Sequence, residues 1–193
     1  DQSGNEVRGS ETFFISQRKQ TITFDGLTSK PIASTFRDFS APITLIEKIS
    51  NDELHVLGGN DKNLFNRWNA LRKLSLEAIE KSIFDGVRTS NRLLSSIEKI
   101  LYSDAFSYAY KAMIVTPPNA QNVAIYLSAR RKNINPLRIY EAIISFNNLL
   151  SKKCARVIAE FFNSYKPQLN FEPTSEQAGL RAFKLNLMNL FCC

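Results

Sequence analysis

The spacing of apolar residues changes once along this 193-residue chain, near Asn51, and no other feature limits its fold as much. Ahead of that point the apolar positions form short β-branched and aromatic runs; behind it they recur every three to five residues. The first pattern suits strands, the second amphipathic helices. Residues 11–15 and 20–24 read as strands, the latter with Ile22 and Phe24 alternating with Thr21 and Thr23. Asp25-Gly26 supplies a turn, and residues 43–46 give a further strand after Pro42. So few strands neither close a sandwich nor protect its edges. Residues 1–50 are therefore expected to be the end of a larger β-sandwich domain.

Residues 51–193 read as helices with short connections. Ser50-Asn51-Asp52-Glu53 offers capping chemistry, and Gly58-Gly59-Asn60 reads as a stop. From Asn63 a stripe runs through Leu64, Trp68, Leu71, Leu74 and Ile79, until Asp85-Gly86 interrupts it. Residues 91–102 repeat the pattern, and Asp104 is expected to open a helix that Pro117-Pro118 ends. A short helix follows over residues 119–131, with Val123 and Leu127 on one face. Asn135-Pro136 then opens the longest pattern: Leu137, Tyr140, Ile144, Leu150, Cys154, Val157, Phe161 and Tyr165. Its length predicts a break near Asn147-Asn148. After a loop over residues 167–173, Thr174-Ser175-Glu176 caps a last helix carrying Leu180, Phe183, Leu187 and Leu190. With only 7 Gly and 7 Pro, the chain is expected to be mainly α: terminal strands, then the first part of a superhelical or solenoid-like helical array. It opens at Asp1 without a targeting peptide and closes at Cys193 inside a helical pattern, so a segment cut from a longer polypeptide is expected.

Several chemistries lack their residues. No apolar run reaches the roughly 18 residues that a membrane span needs. Three cysteines (Cys154, Cys192 and Cys193) without C-x-x-C spacing suit free thiols in a reducing compartment, hence the cytoplasm. His55 is the only histidine, so neither a histidine-based triad nor a multi-histidine zinc site can be assembled, and nucleotide-loop motifs are absent. Lys/Arg and Asp/Glu balance over residues 1–50, which leaves the net charge of +7 in residues 51–193. Arg130-Arg131-Lys132 near Tyr126, and Lys152-Lys153 near Arg156, are basic clusters without a recognised nucleic-acid motif. They read as solvated helix faces. No nucleic-acid or membrane partner is expected.

Two motifs carry a resemblance. Phe39-Ser40-Ala41-Pro42-Ile43 followed by Phe65-Asn66-Arg67-Trp68-Asn69-Ala70 resembles a junction in the bacterial-type aminopeptidase N (alanyl aminopeptidase) family of gluzincin zinc metallopeptidases. There an F-S-A-P-V strand ends a small β-sandwich, and an F-x-R-W-x-A helix begins the C-terminal helical domain. Residues 21–24 look like the preceding strand, and the later helices follow the family's order. The residue after the tryptophan is more often acidic in that family; here it is Asn69.

The resemblance implies a parent enzyme that uses zinc to release N-terminal residues from peptides, with the helical domain capping the active-site cleft. The family's zinc motif, substrate motif and catalytic tyrosine have no counterpart among these residues. No catalytic, cofactor-binding or metal-binding residue is therefore assigned within the chain. Peptide substrates would be met by a catalytic domain outside this segment, and a monomer is expected. The alternative is a non-enzymatic helical-repeat scaffold that binds protein or nucleic acid. Independently of the family, Arg67-Trp68 at a helix start reads as a structural clamp, the ring buried and the guanidinium reaching the neighbouring sandwich.

Overall fold

Seven helices form the regular structure of a computed structural model that describes residues 1–39, 42–43, 45–130, 135–166 and 171–191. Expectations on Ser40, Ala41, Thr44, Arg131, Lys132, Cys192 and Cys193 lie outside the described residues, as does the start of the loop at 167–170.

The helices begin where capping residues allow. Ser50 opens α1 (Asn51–Asn60) with a reciprocal cap: the Glu53 amide donates to its hydroxyl, and the Glu53 carboxylate accepts from its amide at 2.8 Å. Asn63 caps α2 (Leu64–Asp85), which ends on Gly86 in the left-handed region at φ 65°. Ser90 caps α3 (Asn91–Tyr102), and Ser107 caps α4 (Tyr108–Val115). That start lies later than Asp104 because the Ser107 hydroxyl accepts from the Tyr110 amide. Asn119 and Asn122 cap α5 (Ala120–Ala129) reciprocally. Asn135, with proline at the first helical position, opens α6 (Pro136–Ser164), and Thr174 accepts from Gln177 at the start of α7 (Ser175–Phe191).

The stop read at Gly58-Gly59-Asn60 holds, since α1 ends at Asn60, with both glycines inside its last turn. Gly58 is buried where an added Cβ would stand 2.8 Å from Leu71, so it is a packing glycine between α1 and α2. Two other helical expectations need correction. No break occurs at Asn147-Asn148, because Phe146 and Leu150, both buried, hold α6 to the core across that point. The first part of the α6 stripe is also displaced: Ile139, Ala142 and Phe146 are buried, whereas Leu137 and Tyr140 are exposed.

Residues 1–50 form no strand among those described, contrary to the reading of 11–15, 20–24 and 43–46. A strand needs ladder partners on a neighbouring chain segment. Here the Gln20 side chain donates to the Phe14 carbonyl at 2.9 Å, and Phe13 meets Phe24 edge-on at 5.7 Å without a ladder. Phe14 and Ile46 are both 92% exposed, so these stretches lack the cover that pairing and packing would supply.

The core runs through all seven helices, from Leu54 to Leu190. α1 lies against α2; α6 contacts α2, α3, α5 and α7; and α4 packs on α7. The α4–α7 crossing is close because Gly179 faces the backbone of Ala109. Around it Tyr108, Phe161 and Phe183 form an aromatic knot, with centroid separations of 5.0–5.9 Å.

Candidate functional site

The second sequence motif lies at the N-terminal end of α2, but not as the clamp reading expects; Ser40 and Ala41 of the first lie outside the described residues. Trp68 is half-buried, tilted against Phe65 at 5.6 Å, with Arg72 over its ring at 5.3 Å. Among the described residues of 1–50, none forms an ion pair with Arg67. Its guanidinium lies over the Phe106 ring at 5.0 Å, inside the array. Because Trp68 is only half-buried, Trp68→Ala should cost about 2 kcal/mol, below the full core penalty. A urea titration should show the loss, and an unchanged midpoint would remove Trp68 from the stabilising residues.

The contact between the segments comes from Arg37 and Asp61, which carry no local signature, and from Asn63 and Asn66 at the start of α2. Arg37, in a single 3-10 turn (Arg37–Phe39), donates to Asp61 at 2.9 Å, and the Asp61 side chain is fully buried. The Asn63 amide donates to the same Asp61 oxygen. Asn66 donates from its amide to Ser34 and to the Thr35 carbonyl, both at 2.9 Å. Nearby, the Tyr110 hydroxyl donates to the Leu64 carbonyl, and burial pushes its pKa up to about 12.

Catalytic or metal chemistry finds little to work with. His55 is half-buried, and its Nδ1 is buried without a hydrogen-bond partner. Desolvation, then Arg92 of α3, lowers its pKa, against the opposing pull of Asp52 of α1 and Glu77 of α2. The folded state thus favours neutral His55, and stability should fall as pH drops through the unfolded value near 6.5 towards the lower folded value. Urea midpoints at pH 7.5 and 5.5 should differ less in His55→Gln than in the parent; an equal difference would exclude this residue as the source. Cys154 is buried, and desolvation pushes its pKa up to about 12, which makes it an inert core thiol. No three His, Cys, Asp or Glu residues gather as a metal site among the described residues.

The basic positions are largely partnered. Arg130 stacks on Tyr126 at 4.3 Å and lies 3.8 Å from Glu80; Lys153 pairs with Glu98 at 3.0 Å; Arg156 pairs with Glu160 at 2.7 Å. The open groove of about 510 Å³ beside Glu98, Lys99, Tyr102, Ser103 and Arg156 is lined by these same charges. Among the described residues no helix is long and apolar enough to cross a membrane.

Residues 51–193 match a family model described as a domain of unknown function (DUF3458_C) with ARM repeats. The chain belongs to the DUF3458_C family. Residues 1–48 match a second model, a domain of unknown function (DUF3458) with an Ig-like fold. That match is where a β-sandwich reading of the first segment finds support, since its described residues form no ladder. The DUF3458_C helices are 24% identical, together with most of the preceding segment, to Aminopeptidase N of Caulobacter vibrioides over 94% of this chain. Aminopeptidase N of Escherichia coli is 23% identical over 78% of it. The chain spans about a fifth of the length of these curated relatives, 21% and 17%. A solved structure, aminopeptidase A of Legionella pneumophila in complex with aspartic acid, superposes with a TM-score of 0.80 at 21% identity, covering 99% of this chain and 23% of that one. This likeness is one of fold: the DUF3458_C array is a mainly α, ARM-like stack.

Proposed function

We propose that this chain is the non-catalytic C-terminal part of a zinc-dependent aminopeptidase N, which releases N-terminal amino acids from peptides in the cytoplasm as a monomer. The observation that carries the reading is the match to Aminopeptidase N along 94% of the chain. Residues 1–50 would then be the end of a β-sandwich, and residues 51–193 the first part of a helical domain that caps the active-site cleft. The exposed Phe14, Ile15 and Ile46 support the first assignment, because neighbouring strands would cover them.

Among the described residues the donor set does not fit zinc. A catalytic site needs three protein ligands with an open position. Here one histidine stands alone on α1, and the described cysteine is a buried thiol whose raised pKa disfavours the thiolate a metal binds. No step of peptide hydrolysis is therefore carried by these residues; their part is to shape what reaches the chemistry.

The test compares two purified proteins: this chain, and a polypeptide of the relatives' length that contains it. The longer protein should hold one zinc and cleave an alanyl amide, while residues 1–193 alone should retain no stoichiometric zinc and leave the substrate intact. A longer protein without hydrolysis would overturn the assignment, and tight zinc with hydrolysis by the chain alone would overturn its non-catalytic role.

A further inference from the structure

Among the described residues, charge and hydrogen bonding join the first segment to the helical array more than the buried core does. All buried apolar residues described lie at Leu54 or beyond, and ahead of α1 only Ile49, partly buried, packs against them. Four ion pairs among the described residues cross the boundary instead: Glu6 with Lys62, Lys30 with Glu53 at 3.3 Å, Arg37 with Asp61 at 2.9 Å, and Glu47 with Lys73 at 3.2 Å. Each side contributes both signs, so the match fixes register as well as attraction. Only the third pair has a fully buried partner, Asp61.

The same place is strained. Phe36 and Asp38, on either side of Arg37, both have positive φ, 55° and 56°. Bulky residues rarely occupy that region unless their surroundings over-determine it. Those surroundings are visible. Arg37 donates to Ser10 at 2.8 Å, to Ser34 at 3.0 Å and to Asp61; Asn63 donates to Asp38 at 3.0 Å.

We propose that Arg37 and Asp61 form an electrostatic latch between residues 1–39 and the helical array. When closed, it holds the turn in its strained form against the N-terminal end of α2. When it opens, the turn relaxes and residues 1–39 come away from the N-terminal end of α2, while the array keeps its own core. Three of the four crossing pairs are water-exposed, so salt weakens the closed state; the buried carboxylate decides whether it re-forms. The device does not depend on the enzymatic reading of the chain.

Trypsin reads the latch directly, because Arg37 can enter a protease pocket only after leaving Asp61. Cleavage after Lys19, in an exposed stretch, serves as the internal reference. In 0.1 M salt the ratio of cleavage after Arg37 to cleavage after Lys19 should rise at least about tenfold in Asp61→Asn, with helical circular dichroism retained. In the parent chain the ratio should rise severalfold between 0.1 and 1 M salt, as the screening length falls from about 10 Å to about 3 Å. Unchanged ratios in both arms would overturn the latch. Should Asp61→Asn lose its helices, the surface double variant Glu47→Gln/Lys62→Gln decides: a raised ratio that no longer responds to salt supports the latch, and a parental ratio with the parental salt response overturns it.

Discussion

Phe183→Ala should destabilise the chain by about 3–5 kcal/mol and lower its melting temperature by roughly 10 °C. Phe183 is 2% exposed and joins three helices: it belongs to α7, lies 5.6 Å from Tyr108 of α4 and 5.0 Å from Phe161 of α6. Removing the ring leaves a cavity where those helices meet, and rigid neighbours fill such a cavity only in part. A domain has only about 5–15 kcal/mol in total, so the variant should sit near the edge of folding. Calorimetry of parent and variant measures the effect. A shift below about 2 °C would mean that the aromatic knot contributes little.

Gly179→Val should separate α4 from α7 at a cost of about 1–3 kcal/mol or more. A Cβ at Gly179 would meet the Ala109 amide nitrogen at 2.7 Å, its Cβ at 3.0 Å and its Cα at 3.1 Å. These are backbone-anchored atoms, so relief requires a whole helix to shift. Gly59→Ala is the matched control, because nothing lies within 4 Å of its added Cβ and alanine favours the helix by about 1 kcal/mol. Urea midpoints should move in opposite directions for the two variants. If both move upward, the close crossing is not a constraint.

Local chemistry explains which parts of this fold were legible. Ser50, Asn63, Asn119 and Asn135 announce helices because each cap is satisfied within three residues of chain. Gly86 announces a stop because its left-handed backbone is a local requirement. Gly58 looks the same in sequence, yet its smallness serves Leu71 on another helix. On α6, Leu137 and Tyr140 have helical spacing as regular as that of Ile139 and Ala142, and only the neighbouring helices decide which face is covered. The contact across the segment boundary was hidden for a similar reason. Arg67 and Trp68 stand in a recognisable motif but pack within the array, whereas Arg37 and Asp61 are 24 residues apart and have no pattern until the chain folds. The strand-like runs at residues 11–15 and 20–24 have the right composition, but a ladder also needs a partner that local composition cannot specify.

An uninterrupted α6 has a mechanical consequence. At about 1.5 Å per residue its 29 residues make a beam about 43 Å long. Four other helices rest on it, and Phe161 near its far end touches both Tyr108 and Phe183. A hinge at Asn147-Asn148 would let the two ends of the stack bend independently. Without one, a tilt imposed beside α5 reaches the aromatic knot as rotation of a single stiff body.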